Sequence, residues 1–411
     1  MSTAEIIVTD ELLDQWATDP NGPVALHLKQ KLLPVEGEGG VIFPPTYADI
    51  GYNIDTLSDG TKVATIDSVG SQNNRIEPIF KSTGKNENGE ELNPLAALVP
   101  QIEIILNVKE KDGEKYERRQ SLLDLAHRSA DAVVKATPSL AKLINPAFEE
   151  LKRHGNAGPL CAIAPTSLLF GVWDSRDGTG EKRPRLIRSI IRAWDVETLF
   201  SAAQFNSVWK SLEKDQQEEL EKEAKAKKTK LSGKGFADAP AVFRKVSKDA
   251  ATHMKEFRDG SPNPERRTLG GVLVKGVIER NVTINLIALR AISGSLAAAD
   301  NKPGVLAENL RRYLLSLALL AGTVDQDLFL REGCLLRYAD GDIWHAVPRR
   351  GEEKKIDLVS DAARKALADY ANKQASNISK HWPSTLEHRF DLKEAKKIIG
   401  KQDAEEEVTA A

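Results

Sequence analysis

The sequence contains little cysteine, few aromatic residues and almost no net charge. Cys161 and Cys334 stand far apart in a chain of 411 residues, which does not suit a metal site and favours two buried thiols in a reducing compartment. Lysine and arginine total 58 against 60 aspartates and glutamates, so the formal net charge is -2. Such a chain can bind a polyanion only where its cations cluster.

Long hydrophobic runs are also missing. The stretch "YLLSLALLAGTV", from Tyr313 to Val324, is shorter than the roughly 20 residues that cross a bilayer, and it predicts a buried helix. The first residues, "MSTAEIIVTDELLDQW", contain neither the basic region nor the apolar region of a signal peptide. We therefore expect a cytoplasmic protein without a membrane partner.

The common catalytic motifs are absent. The sequence has no P-loop spacing, no G-x-S-x-G, no H-E-x-x-H and no C-x-x-C, and its seven histidines are scattered. We predict no catalytic residue, no metal and no cofactor. One alternative stays open, because Asp174 and Asp177 beside Trp173 are carboxylates that could hold Mg²⁺.

Cations are concentrated in "FGVWDSRDGTGEKRPRLIRSIIRAW", from Phe170 to Trp194. Pro184 suits the first turn of a helix, and the spacing that follows predicts a helix with arginines on one face and isoleucines with Trp194 on another. Because no acid lies between Arg183 and Arg192, ion pairs within the predicted helix cannot explain its arginines, and the cations of this segment favour a phosphate-binding surface. The alternative is a solvated face whose cations pair with acids elsewhere. The cations are Arg176, Lys182, Arg183, Arg185, Arg188 and Arg192.

A second polar run, "DSVGSQNNRIE", extends from Asp67 to Glu77. It follows the predicted strand "TKVATIDSV" and reads as a loop. Its hydroxyl and amide groups can bond sugars, phosphates or base edges, although an ordinary polar loop has the same composition. The candidate residues are Ser71, Gln72, Asn74 and Arg75.

The predicted helices and strands alternate irregularly. Residues 1–33 are predicted to be helical from apolar positions three and four apart, and "GPLCAIAP" is predicted to be a short buried strand. The segment "SLEKDQQEELEKEAKAKKTK" has almost no apolar face, which favours a solvated helix. This arrangement predicts an α+β fold rather than a doubly wound parallel sheet.

Four stretches in this order carry a family resemblance: "PPTYADIG", "IDSVGSQNNRIE", "SLLFGVWDSRDGTGEKRPRLIRSIIRAWDV" and "GGVLVKGVIERNVTINLIALR". Over roughly residues 25–350 the chain resembles the CRISPR-associated RAMP proteins of the Cas-seven group. These proteins form the Cascade backbone of the type I variant first called U and later G.

The resemblance implies an RRM-like, ferredoxin-like RAMP palm with large helical and hairpin insertions. It implies one elaborated domain over residues 1–350, a charged insertion near 204–268, and a C-terminal helical extension over 351–411 with a frayed tail. Copies of such a subunit line up along one CRISPR RNA beside other Cascade subunits. The guide bases then pair with target DNA, and a separate nuclease cuts it.

The resemblance also assigns RNA contacts. Its first motif covers Ser71, Gln72, Asn74 and Arg75, and its second covers Arg176, Lys182, Arg183, Arg185 and Arg188. Lys275 and Arg280 are weaker candidates on a predicted strand, and Phe170 and Trp173 are expected to support the core. Two alternatives remain open. One is a metal-dependent RAMP endoribonuclease using Asp67, Asp174 or Asp177, and the other is a scaffold whose arginines bind acidic protein partners.

Overall fold

The computed structural model describes residues 6–47, 50–109, 115–174, 181–201, 212–229, 231, 268–297 and 304–399. Within these ranges helices and strands are mixed along the chain, and the largest sheet curls into a half-barrel. The α+β fold class is therefore confirmed. The RRM-like palm and the division into domains stay predictions.

Nineteen strands are defined in the described residues. In chain order, β1 to β19 are Ala25–Pro34, Val41–Ile42, Thr46–Tyr47, Gly51–Tyr52, Ile54–Thr56, Lys62–Asp67, Glu103–Lys109, Lys115–Ser121, Val172–Asp174, Glu181–Arg183, Ile187–Trp194, Val196–Ser201, Thr268–Val274, Ile278–Asn285, Phe329–Arg331, Cys334–Tyr338, Trp344–Val347, Lys354–Ile356 and Glu387–Arg389.

The α-helices lie mostly between these strands. In chain order, α1 to α10 are Asp10–Thr18, Val69–Ile76, Ala132–Lys135, Pro138–His154, Gly158–Ile163, Pro165–Phe170, Lys214–Ala226, Leu286–Arg290, Ala307–Thr323 and Asp361–Ile378. Short 3₁₀ helices are Glu77–Phe80, Pro94–Leu98, Leu122–Asp124, Arg128–Ala130 and Ser379–His381.

The central sheet has nine strands. Its main path runs β15-β16-β1-β14-β11-β6-β5, and β17 and β18 join through β1. All these neighbours are antiparallel. Strands from the beginning, middle and end of the chain are therefore neighbours in one sheet.

Helix α9 packs against one face of this sheet. Twelve of its 17 residues are buried, including every residue from Tyr313 to Thr323, as the apolar run around Tyr313 predicts. A Cβ atom at Gly322 would come within 2.9 Å of the Trp344 ring and 3.6 Å of Ile187, so glycine allows the helix to approach β17 and β11 closely. Helices α1 and α10 complete this layer, since Trp16, Leu367 and Tyr370 belong to the same core cluster.

Four local predictions are wrong, and the fourth concerns the polar run that follows Asp67. Residues 187–194 form strand β11 rather than a helix. "VALHLKQKLL" forms β1, and "GPLCAIAP" forms helix α5 and the start of α6. A spacing of four residues occurs on one face of a helix and also on one face of a strand, so Arg188 and Arg192 fit both patterns.

The polar run that follows Asp67 is a helix rather than a loop. Ser68 caps α2, and its side chain accepts a hydrogen bond from the backbone N–H of Ser71 at 3.3 Å. Three of the eight helical residues are buried. The sequence of α2 is too polar to reveal this burial by hydrophobic periodicity.

The charged segment predicted near 204–268 connects β12 to β13, which are antiparallel neighbours. Its described part contains α7, in which Ala224 is buried and most other residues are exposed. This exposure agrees with the prediction of a solvated helix there.

Candidate nucleic-acid interface

The central strands have one buried face and one open face. Along β1, Leu26, Leu28 and Leu32 are fully buried, while Lys29 and Lys31 between them are exposed. The same alternation continues in β14 and β11, because residues directly opposite each other point to the same side of a sheet. We use "open face" for the side of the central sheet that carries Lys29, Lys31 and the residues paired with them in register.

The open face is organised in rows that cross the strands. The first row crosses β18, β17, β1, β14 and β11. It contains Lys355, His345, His27, Thr283 and Arg188.

Two further rows follow along the strands, each about 7 Å from the previous one. The second contains Lys29, Asn281 and Ile190, and the third contains Lys31, Glu279, Arg192 and Thr65. Ile190 and Glu279 are nearly buried among their neighbours. At the edge, Arg337 lies opposite Leu33 and extends the open face onto β16.

The charge of these rows is mostly positive. Glu279 is the acidic residue of the three rows, and its carboxylate forms an ion pair of 2.9 Å with the Lys29 ammonium group. Lys31 pairs with the exposed Glu38 at 3.6 Å. Among the described residues, Arg188 and Arg192 make no ion pair and no side-chain hydrogen bond. Their guanidinium groups are therefore available to a phosphate, which each can bind with two parallel hydrogen bonds.

The first predicted motif surrounds a buried anion. Asp67, at the end of β6, accepts hydrogen bonds from Ser71 Oγ and Gln72 Nε2, both at 2.7 Å, and from Arg75 Nε at 3.1 Å. Arg331 adds a contact of 3.3 Å from β15. The polar groups of Ser71, Gln72 and Arg75 are thus directed at Asp67, and four donors in all surround its buried side chain.

A buried chain of hydrogen bonds continues from Gln72 beneath the open face. Gln72 Oε1 accepts from Ser189 Oγ at 2.7 Å, and Ser189 Oγ accepts from Arg280 Nε at 3.2 Å. Arg280 Nη1 donates to Gln30 Oε1 at 3.3 Å, and Gln30 donates to Asp342. The chain links α2, β11, β14 and β1, and so it holds the strands that carry the open face.

Another buried ion pair supports the region around Asn74. Arg128 Nε lies 2.6 Å from Glu77 Oε2, and both side chains are buried. Burial raises the pKa of Glu77 to about 7, while Arg128 and the Thr166 hydroxyl oppose the rise. Arg128 also donates to Gly171 O at 3.3 Å and reaches the exposed Asn74 Oδ1 at 3.5 Å. This pair therefore joins α2 to the start of the arginine-rich segment.

The hairpin of β9 and β10 places the remaining cations of that segment. Lys182 is exposed and lies opposite Trp173. Arg183 is half-buried and donates to Leu151 O at 3.0 Å. Arg185 is exposed, and partial desolvation together with Arg128 lowers the pKa of its guanidinium. Arg176 lies outside the described residues.

The two aromatic residues of this segment differ in exposure. Phe170 is fully buried and lies beneath the Arg128 guanidinium, as expected of a core support. Trp173 is 65% exposed, so the prediction of a core role is wrong for it.

The strand candidates near residue 280 also differ from each other. Lys275 is exposed and pairs with Glu197 at 2.7 Å. Arg280 is buried, and desolvation lowers the pKa of its guanidinium. Neither side chain is free in the way that Arg188 and Arg192 are.

Sequence reasoning missed part of the open face. Lys29, Lys31, His27, His345 and Lys355 were not among the candidates, because residues 1–33 were predicted to be helical and the strands near 345 are far from the cationic segment. The alternation of "LHLKQKLL" was the available signal for β1. The register between β1 and β17 could not be read from the sequence.

No group of three or more histidine, cysteine, aspartate or glutamate side chains in the described ranges could hold a metal ion. Within the same ranges, no helix combines the length and the apolar character needed to cross a membrane.

The fold and the open face define an α+β protein with a cation-rich sheet surface. Residues 26–198, less than half of the chain, match the family model described as CRISPR-associated protein GSU0053. The match supports a CRISPR-associated protein with a role in a CRISPR system. It covers β1 from Leu26 onward together with α2 and β11, and so it includes Lys29, Lys31, Arg188 and Arg192. No curated protein matches the sequence.

Proposed function

We propose that the protein is a CRISPR RNA-binding backbone subunit of a type I interference complex. Several copies would bind along one guide RNA beside other Cascade subunits, and the guide would pair with target DNA. The family match supports the association with CRISPR systems, and the open face supports the mode of binding.

The observation that carries this proposal is the pair Arg188 and Arg192. Both project from β11 onto the open face, two rows apart, and neither has a partner among the described residues. Arginines without a protein partner keep their donors available to a ligand, and phosphate groups are the ligands that these planar donors fit best.

The chemistry of the open face suits a guide of any sequence. Its side chains offer point charges, hydroxyls and amides, which bind phosphates and riboses. Sequence recognition then comes from base pairing with the target. Because binding rests on local cations, a chain with a formal net charge of -2 can still hold RNA.

The test is binding of a labelled single-stranded RNA by fluorescence anisotropy at several salt concentrations. We expect the double variant Arg188→Ala with Arg192→Ala to lower affinity by about 10- to 100-fold and to reduce the log–log salt slope by about 1.4, since each phosphate contact on a single strand contributes about 0.7. The loss should be similar for RNAs of different sequence.

Arg118→Ala is the matched control. Arg118 is also an exposed strand arginine, but it lies on β8 in a separate three-stranded sheet. If the control and the double variant lose affinity equally, or if neither changes the salt slope, the open face is not the RNA site. Purified protein without RNA affinity at low salt would favour the protein-binding scaffold.

The endoribonuclease alternative needs a carboxylate that can reach a metal ion. Asp67 is buried and accepts from four donors, so it is poorly placed for that role. Asp177 lies outside the described residues. Incubating the bound complex with a complementary RNA and Mg²⁺ tests this alternative directly, and regularly spaced cleavage would support it.

A further inference from the structure

Two histidines lie side by side in the middle of the first row. His27 on β1 and His345 on β17 are direct cross-strand partners, so their Cβ atoms are separated by about 5 Å. Both side chains are half-buried. Among the described residues, neither imidazole takes part in a hydrogen bond or an ion pair.

The surroundings of this pair are cationic or neutral. Lys355 on β18 lies opposite His345, and Thr283 on β14 lies opposite His27, with Arg188 next in the row. The next row begins with Lys29, which is paired with Glu279 at 2.9 Å. Of the acids that flank β18, Glu353 is exposed, and Asp357 accepts hydrogen bonds from the backbone of Val359 and Ser360.

A phosphodiester oxygen between the two rings favours their protonated forms, because each protonated ring donates a charge-assisted hydrogen bond to an anion. Binding of phosphate and uptake of protons are therefore coupled at this place.

We propose that His27 and His345 form a phosphate-binding subsite of the open face, which makes nucleic-acid affinity increase as the pH falls. The inference rests on the proposed function, because the phosphate belongs to the bound RNA backbone. The sign follows from linkage. The bound state holds more protons than the free state, so the association constant rises on acidification, by at most about tenfold per pH unit for each histidine.

The experiment measures binding of a labelled single-stranded RNA lacking terminal phosphates, at constant ionic strength, between about pH 8 and pH 6, where histidines usually titrate. We expect wild-type affinity to increase by at least about tenfold over this range. In the double variant His27→Asn with His345→Asn, the increase in affinity over the same pH range should fall below about threefold. Thermal unfolding of both proteins checks that the variant is folded.

His154→Asn is the control, because His154 is exposed at the end of α4, away from the open face. It should keep the wild-type pH dependence. RNA binding with the same pH slope in the double variant as in wild type overturns the subsite alone. RNA binding by the wild type that does not change with pH overturns it as well. Absence of RNA binding at every pH overturns the proposed function and the subsite together.

Discussion

The two faces of β11 and β14 both carry arginine, in opposite circumstances. On the open face, Arg188 and Arg192 are exposed and have no partner among the described residues. On the buried face, Arg280 lies within hydrogen-bond distance of Ser189 and Gln30. The open-face arginines are hydrated and can therefore bind a ligand in place of water. The Arg280 guanidinium is buried and already has hydrogen-bond partners within the protein.

The difference shows what a cationic sequence motif can mean. A buried arginine contributes to the structure because removing its partners leaves a desolvated charge, which costs several kcal/mol. An exposed arginine contributes little to stability but much to the binding of a polyanion. Variants should therefore separate the two faces, with effects on stability for one and on affinity for the other.

The largest expected effect is on the buried side, at Asp67. Asp67→Ala removes the acceptor of four donors and leaves Arg75 and Arg331 without their ion pair. We expect the free energy of unfolding to fall by about 3 kcal/mol, as measured by urea denaturation, with an unchanged salt slope of RNA binding.

Asp340→Ala is a suitable comparison, because Asp340 is exposed in the turn before β17. Its substitution should change the unfolding free energy by less than about 0.5 kcal/mol. Equal stability of the two variants would show that the cluster around Asp67 does not hold the sheet.

The second effect is pH-dependent and also on the buried side. The pKa of Glu77 is raised to about 7, so the folded protein retains a proton that the unfolded chain releases above about pH 4.5. The Glu77 contribution to the free energy of unfolding should therefore decline as the pH rises from about 4.5 to 7. In Glu77→Gln, the free energy of unfolding should fall by about 1–3 kcal/mol less than in wild type between about pH 4.5 and about pH 7. Urea denaturation at these two pH values measures the difference.

The comparison for that variant is wild type at the same pH values, since other acids also titrate there. An identical pH dependence in both proteins would mean that Glu77 is ionised throughout, held by Arg128 at 2.6 Å.

The third effect contrasts two arginines that the sequence presents alike. Arg188→Ala should lower RNA affinity by about tenfold and leave the melting temperature unchanged. Arg75→Ala should lower the melting temperature, because its guanidinium bridges Asp67 and Leu330 O, and should leave affinity within about twofold. The reverse pattern would place the RNA at α2 instead of the open face.

The sequence predicts some of this arrangement well and some of it badly. The α+β class and the buried helix around Tyr313 follow from composition and apolar content, which depend little on register. The assignment of β1 and β11 fails because Leu28 and Leu32, like Arg188 and Arg192, are four residues apart, a spacing shared by helices and strands. The burial of Gln72 is not predicted because a run of polar residues has no hydrophobic periodicity.

The candidate site is harder to predict than the fold. Cation clustering correctly draws attention to β11, but the open face needs β1, β14, β17 and β18 to lie beside it. Those neighbours come from distant parts of the chain, and their order is a property of the whole sheet. His27 and His345 are 318 residues apart in sequence, yet they are direct partners across two strands.

The smallest expected effect tests the limit of the open face. Lys275 was a candidate contact, and it is exposed, but Glu197 lies 2.7 Å from its ammonium group. A cation that is already neutralised attracts a phosphate weakly, and an exposed pair contributes little to stability. Lys275→Ala should therefore change RNA affinity by less than about twofold and leave the melting temperature unchanged. If it weakens binding as much as Arg188→Ala does, the pair with Glu197 must open in the complex. The RNA would then extend past the third row, to the turn that joins β13 to β14.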